Sequence, residues 1–334
     1  MIGKKAVVVA GATGSIGRLV VQTLLEDPRV NKVTALVRKV VSSEERVQEL
    51  WGNKTATATA ASVDPTVSKD GTTTTNKYNN KLIQVQVDYP KLTVHDIQLR
   101  NSIQGHDAFI TALGVYSGAA TEQEMDEIEG TYNSILARIA KLGGATRGVY
   151  LSGAGVKQPT LEGIANTKFA RAKGRAEELL ASIFSNNNSN NVTEEDETIR
   201  RNINYHHHIS VRPAIIFDRP GPPVYGFLDG TLLNMYPFRK LVDTSYGITA
   251  HDIAKGIVQG ALFDDDDDDQ DLTNDSSSSD NDDNNNVHGN GEQTIHINGN
   301  TIWENVTLKE AARRYEFGLN EHARTSGGGR QAAV

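Results

Sequence analysis

The chain has 334 residues with 34 basic and 42 acidic side chains, a formal charge of −8; eleven aspartates crowd into residues 264–283, and without them the remainder stands at +3. That balance lacks the basic surplus on which nucleic-acid binding rests, and the absence of cysteine excludes disulfides, thiolate metal sites and a cysteine nucleophile. No apolar run reaches the length of a signal-peptide core or a membrane span, so a soluble cytoplasmic protein is expected, with no membrane partner.

The first apolar run, AVVVAG (6–11), passes into GATGSIG, after which Ile16, Val20 and Leu24 share one helix face until Asp27-Pro28. Strand, glycine turn and helix in this order form the context of a dinucleotide-binding loop. Gly11 permits the tight turn, Gly14 lets the backbone approach a pyrophosphate, Gly17 lets helix and strand pack closely, and the helix N-terminus supplies amide donors. The spacing is GxxGxxG rather than GxGxxG, and the alternative is a plain structural turn. The second run, KVTALVR (32–38), ends in Arg38 and Lys39 where an acidic residue would bind the adenosine ribose hydroxyls. Two cations suit a 2′-phosphate, so NADP(H) is expected in preference to NAD(H); otherwise these are two solvated charges at a strand end.

Further runs follow at LIQVQVD (82–88), DAFITALG (107–114), GVYLSG (148–153), HISVRPAIIF (208–217) and QTIHING (293–299). Helices lie between them. Thr121 with Glu124 reads as a capping box, and Met125, Ile128, Tyr132, Ile135, Leu136 and Ile139 follow at helical spacing up to Gly143-Gly144. In NTKFARAKGRAEELL (166–180), Phe169, Ala172, Ala176, Leu179 and Leu180 form an apolar side, with Lys173 one turn after Phe169. Thr249 with Asp252, and Thr307 with Glu310, start two more helices.

The alternation predicts an α/β, Rossmann-type doubly wound fold, a mostly parallel sheet with helices on both faces. One domain over residues 1–325 is expected. Polar stretches at 55–80, 185–198 and 264–291 read as disordered loop insertions, and 326–334 as a flexible tail.

Taken together, VVVAGATGSIGR, VTALVRK, QGHDAFITALG, YNSILARIAKLGG running into VYLSGAG, FARAKGRAEE, SVRPAIIFDRPG and GITAHDIAKGIVQGAL resemble the atypical short-chain dehydrogenase/reductases. Within that superfamily they are most similar to Tat-interacting-protein-type oxidoreductases and NmrA-like proteins. The resemblance implies NADP(H) over the C-terminal edge of the sheet. It assigns Gly11, Thr13, Gly14, Ser15, Ile16 and Gly17 to the pyrophosphate, Arg38 to the 2′-phosphate and Asp88 to the adenine surroundings. Ala112, Leu113 and Gly114 would line the cofactor, and Pro213, Ala214 and Ile215 would meet its nicotinamide end.

The same resemblance implies a catalytic serine, tyrosine and lysine. Ser152 and Lys173 match, but Phe169 occupies the tyrosine position, and a phenyl ring cannot move a proton. General acid catalysis, worth about 10²–10⁴-fold, must then come from elsewhere or be absent. Tyr116 and Tyr225 are candidate substitutes, while Tyr150 sits deeper, where a core role is expected. His206, His207 and His208 alternate faces on a strand and have no spaced partner, so no metal site is expected. Two functions stay open: an oxidoreductase acting on a small organic molecule, and a non-catalytic NADP(H)-binding module that regulates a protein partner.

Overall fold

The first strand, β1 (Lys5–Ala10), alternates its side chains between two helical layers. Val7 and Val9 join one core, and Val8 and Ala10 join the other. Every interior residue of β1 is buried, which is why its sequence is continuously apolar. A glycine turn leads into α1 (Ser15–Glu26), and β2 (Val30–Val37) pairs in parallel with β1. In the computed structural model the described residues are 4–52, 81–115, 120–153, 156, 167–184, 208–213, 215–217, 247–262, 295–297, 300–303 and 305–327. The three polar segments expected as insertions lie outside them.

The remaining elements are α2 (Glu44–Trp51), β3 (Leu82–Gln86), α3 (Ile97–Ile103), β4 (Ala108–Thr111), α4 (Glu122–Met125), a π-helical segment (Asp126–Tyr132), α5 (Asn133–Leu142), β5 (Arg147–Leu151), α6 (Lys168–Phe184), β6 (His208–Val211), β7 (Ile215–Phe217), β8 (Gly247–Thr249), α7 (Ala250–Leu262), β9 (Ile295–Ile297), β10 (Asn300–Trp303) and α8 (Asn305–Gly327). The main sheet has the order β3-β2-β1-β4-β5-β6-β10-β9. All its pairings are parallel except β10 with β9. The order runs outward in both directions from β1 and β4, which makes the C-terminal ends of these two strands the topological switch point of a Rossmann-type fold.

Several sequence expectations need correction. The run 208–217 is two strands: β6 stops before Arg212-Pro213, where proline has no amide to donate, and β7 pairs with β8 in a separate two-stranded sheet. The run 293–299 contributes only Ile295–Ile297, which pairs antiparallel with the unanticipated β10; Asn298-Gly299 between them is a two-residue hairpin signal. Helices α2 and α3 were also unanticipated. The helix expected to start at Thr307 already begins at Asn305, and Glu310 pairs with Arg313 and Arg314. That helix continues to Gly327, so Ser326 and Gly327 are helical rather than tail. On α6, Leu179 is 40% exposed because it falls on the outer flank of the apolar stripe; Ala170, Ile183 and Phe184 are buried.

Two buried histidines make the fold acid-sensitive. His208 stacks on Phe184, and burial pushes its pKa down from 6.5 to about 3. His106 donates from Nδ1 to the Ile103 carbonyl, which leaves Nε2 to accept from the Thr34 hydroxyl, 2.8 Å away in each case; burial lowers its pKa too. In the unfolded chain both rings take a proton near pH 6.5, whereas His208 in the fold does so only near pH 3. The unfolded state therefore binds more protons in this window, and stability is lost as pH falls through it. Thermal melts from pH 7 to pH 4 should show a falling midpoint, with a shallower slope in His208→Leu; an equal slope in the variant would contradict this origin.

Candidate cofactor and active site

At the end of β1 the chain turns through Gly11, whose φ is +72°. A Cβ there would stand 2.6 Å from the backbone of Ala112 and Leu113, so the bare residue also lets the turn press against the end of β4. The Gly14 amide closes the turn on the Gly11 carbonyl at 2.9 Å. Gly17 packs over the same carbonyl, where a Cβ would come within 2.0 Å of its oxygen. Thr13 and Gly14 are exposed. No side chain caps α1, and no acidic residue lies in its first turn, so the positive end of the helix faces the crevice between β1 and β4. The Ile16 side chain is buried in the core, and only its backbone is available to a ligand.

A tether that sequence reading missed steadies this loop. Trp51, at the end of α2, is buried and donates its indole N–H to the Ala12 carbonyl at 3.0 Å. Gln22 of α1 bonds the carbonyls of Leu50 and Gly52. In α2 only Val47, Leu50 and Trp51, at i, i+3 and i+4, are apolar, a short stripe that hints at this contact.

Beyond the end of β2, Arg38 and Lys39 are exposed and have no ion-pair partner among the described residues. Arg38 lies close enough to Tyr89 for its charge to oppose the burial that raises that phenol to about 12. Asp88, just past β3, is exposed and paired with Lys91 at 2.9 Å. Ala112 and Leu113 are half-buried and Gly114 is exposed at the end of β4.

Ser152 follows β5, and its amide bonds the Val211 carbonyl at 2.8 Å. Its hydroxyl is buried without a partner among the described residues. The Phe169 ring is half-buried against Gly153, where a Cβ would meet it at 3.2 Å. Lys173 is 5% exposed, and its Nζ lies 5.5 Å from the Phe169 ring centroid. That Nζ donates to the Leu151 carbonyl and to Glu129 Oε2, 3.0 Å each. Glu129 also accepts from the Tyr150 hydroxyl at 2.8 Å and the Val115 amide at 3.1 Å. Tyr150 is thus a core residue whose phenol is held well above its ordinary pKa, first by burial and then by the Glu129 charge.

The structure therefore brings the glycine loop, the β4 end, Ser152, Phe169 and Lys173 to one edge of the sheet. Pro213 is buried just past β6 on the same edge, and Ile215 opens β7. Ala214, Tyr116, Tyr225, His206 and His207 lie outside the described residues. Among the described residues no group of histidines and carboxylates could hold a metal ion, and no helix is long and apolar enough to cross a membrane.

Comparison with known proteins adds one local match: a family model for NAD-binding domains, described as male sterility protein, matches residues 9–94, about a quarter of the chain. No curated protein matches. Among solved structures, the chain is similar to the Bordetella bronchiseptica enzyme WbmH in complex with NAD+ (16% identity, TM-score 0.44, 77% of this chain and 71% of that one). It is also similar to UDP-N-acetylglucosamine 4-epimerase from Methanobrevibacter ruminantium (15%, 0.45, 78% and 74%) and to a short-chain dehydrogenase/reductase from Serratia marcescens (13%, 0.45, 78% and 91%). The Rossmann-type assignment rests on the chain's own strand order and glycine turn, with which the NAD-binding match over residues 9–94 agrees.

Proposed function

We propose that the chain is an NADP(H)-binding oxidoreductase of the short-chain dehydrogenase/reductase type that moves a hydride to or from a small organic molecule. The observation that carries this reading is the uncapped N-terminus of α1 at the switch point, with Arg38 and Lys39 standing at the end of the neighbouring β2. The first suits a pyrophosphate and the second a 2′-phosphate. Backbone amides of Thr13, Gly14, Ser15, Ile16 and Gly17 would hold the pyrophosphate, and Ala112, Leu113 and Gly114 would line the far side. Pro213, Ala214 and Ile215 would border the nicotinamide end. Asp88 would border the adenine only after yielding its contact with Lys91. Arg38→Ala should weaken NADPH binding by about 10–100-fold and leave NADH nearly unchanged, as loss of a charge-assisted hydrogen bond to a phosphate requires. Equal loss for both dinucleotides would remove the NADP preference.

When bound, the nicotinamide supplies or accepts the hydride. Ser152, whose buried hydroxyl has no protein partner among the described residues, would donate to the substrate oxygen, and Lys173 would hold the nicotinamide ribose. Phe169 offers no proton, so the favoured acceptors are electron-poor molecules such as quinones and flavins, whose reduced anions take a proton from water. A second reading, an NADP(H)-binding regulatory module, is favoured by Phe169. Oxidation of NADPH by quinones, flavins and carbonyls should be compared in the wild type and in Phe169→Tyr. Quinone or flavin turnover by the wild type, with carbonyl reduction emerging in the variant, supports the enzyme. Tight NADPH binding without turnover in either form supports the module.

A further inference from the structure

The main-chain path between α4 and α5 puts a carboxylate where the sequence pattern did not place one. Residues Asp126–Tyr132 are π-helical, and the wider i→i+5 winding keeps residues four apart on one face. Met125, Glu129 and Asn133 are all buried. Asn133 locks this winding: the carbonyls of Leu113, Ile128 and Glu129 lie 3.0–3.1 Å from its Nδ2 and share its two N–H donors, and its Oδ1 accepts from the Thr111 hydroxyl. The end of β4 and the π segment are thereby held as one unit.

Glu129 is fully buried, and both its oxygens are occupied: Oε1 by the Val115 amide, Oε2 by Tyr150 and Lys173. An ammonium has three N–H donors. Two of those on Lys173 go to Leu151 and Glu129; the third has no hydrogen-bond acceptor among the described residues, where the Nζ otherwise meets only the Tyr150 and Phe169 rings, 5.0 and 5.5 Å to their centroids. Gly114 is the exposed wall beside the pair; a Cβ on it would lie 2.7 Å from Glu129 Oε1 and 3.2 Å from Lys173 Nζ. The bare glycine therefore leaves the pair approachable from the cofactor edge.

We propose that Glu129 is the positioning residue that holds Lys173 as an ammonium with its third N–H presented to the nicotinamide-ribose hydroxyls of the dinucleotide. This rests on the NADP(H) reading above. Without the carboxylate, the Lys173 Nζ keeps only the Leu151 carbonyl and is no longer held at this point. It then stops donating to the ribose, while the adenosine half of the ligand, on the glycine loop and Arg38, is untouched.

The test is calorimetric titration of NADPH and of adenosine 2′,5′-bisphosphate, which lacks the nicotinamide ribose, into the wild type, Glu129→Gln, Lys173→Met and the double variant. Glu129→Gln should weaken NADPH about tenfold and leave the bisphosphate within about twofold, the loss of one charged hydrogen bond. In the Lys173→Met background it should add nothing. Equal weakening of both ligands, no weakening, or a further loss in that background would overturn the proposal. Should Glu129→Gln fail to fold, Gly114→Ala is expected to give the same selective loss, and its absence there would equally overturn it. A wild type that binds neither ligand overturns the dinucleotide reading itself, and the proposal with it.

Discussion

Gly17→Ala is expected to destabilise the fold by about 3 kcal/mol or more and to abolish dinucleotide binding. The added methyl would sit 2.0 Å from the Gly11 carbonyl oxygen, 2.7 Å from its carbon and 3.2 Å from Ala12 Cα, all backbone atoms. The loop has no room to retreat. Gly11 already holds a positive φ against the backbone of Ala112 and Leu113, and Ala12 is tied to Trp51. Opening the loop would break the Gly14-to-Gly11 turn and turn the first-turn amides of α1 away from the crevice. A melting midpoint lower by about 6–12 °C, at roughly 2–4 °C per kcal/mol, and no detectable NADPH binding are the expected readings. A variant that melts within about 2 °C of the wild type and still binds NADPH would contradict this packing.

Glu177→Ala should cost about 3–5 kcal/mol, the largest effect expected of any single charge deletion here. Arg212 and Glu177 form a buried bidentate pair, with Nε–Oε1 at 2.9 Å and Nη2–Oε2 at 2.6 Å and side chains 6% and 2% exposed. Deleting the carboxylate strands a guanidinium that cannot lose its proton. Replacing both partners, as in Glu177→Leu with Arg212→Met, should recover most of the loss, because the desolvation cost of both ions disappears together. Urea denaturation of the single and double variants checks this; a double variant as unstable as the single would mean that the pair is not self-contained. Glu177 lies one turn beyond Lys173 on α6. The pair therefore ties the helix that carries Phe169 and Lys173 to the end of β6.

The parts of this site legible in the sequence are those set by local geometry. The turn at Gly11, the close approach at Gly17, the cations after β2 and the shared face of Phe169 and Lys173 each depend on a few consecutive residues. The parts that were not legible depend on long-range contacts. Glu129 is buried because the π segment turns it inward toward a lysine on another helix, whereas an ordinary helical reading places Ile128 and Tyr132 on the core face; both are only half-buried. Trp51 reaches Ala12 from a short helix whose apolar stripe is only Val47, Leu50 and Trp51, and the partner is a backbone carbonyl 39 residues away. The apolar run 208–217 concealed a break because Pro213 is itself compatible with extended backbone, and only loss of its donor at the sheet ends the strand. The fold class was legible because alternation of strands and helices in the chain calls for a mostly parallel sheet covered on both faces, whatever the exact element ends; the strand order itself is set by long-range pairing.

The central claim is that the glycine loop and the Arg38-Lys39 pair bind NADP(H). Calorimetric titration of NADPH and NADH into the wild-type protein under identical salt tests it most directly. Expected is one NADPH per chain, bound at least about tenfold more tightly than NADH, the margin of a single charged phosphate contact. Absence of heat and of saturation with both dinucleotides would contradict it.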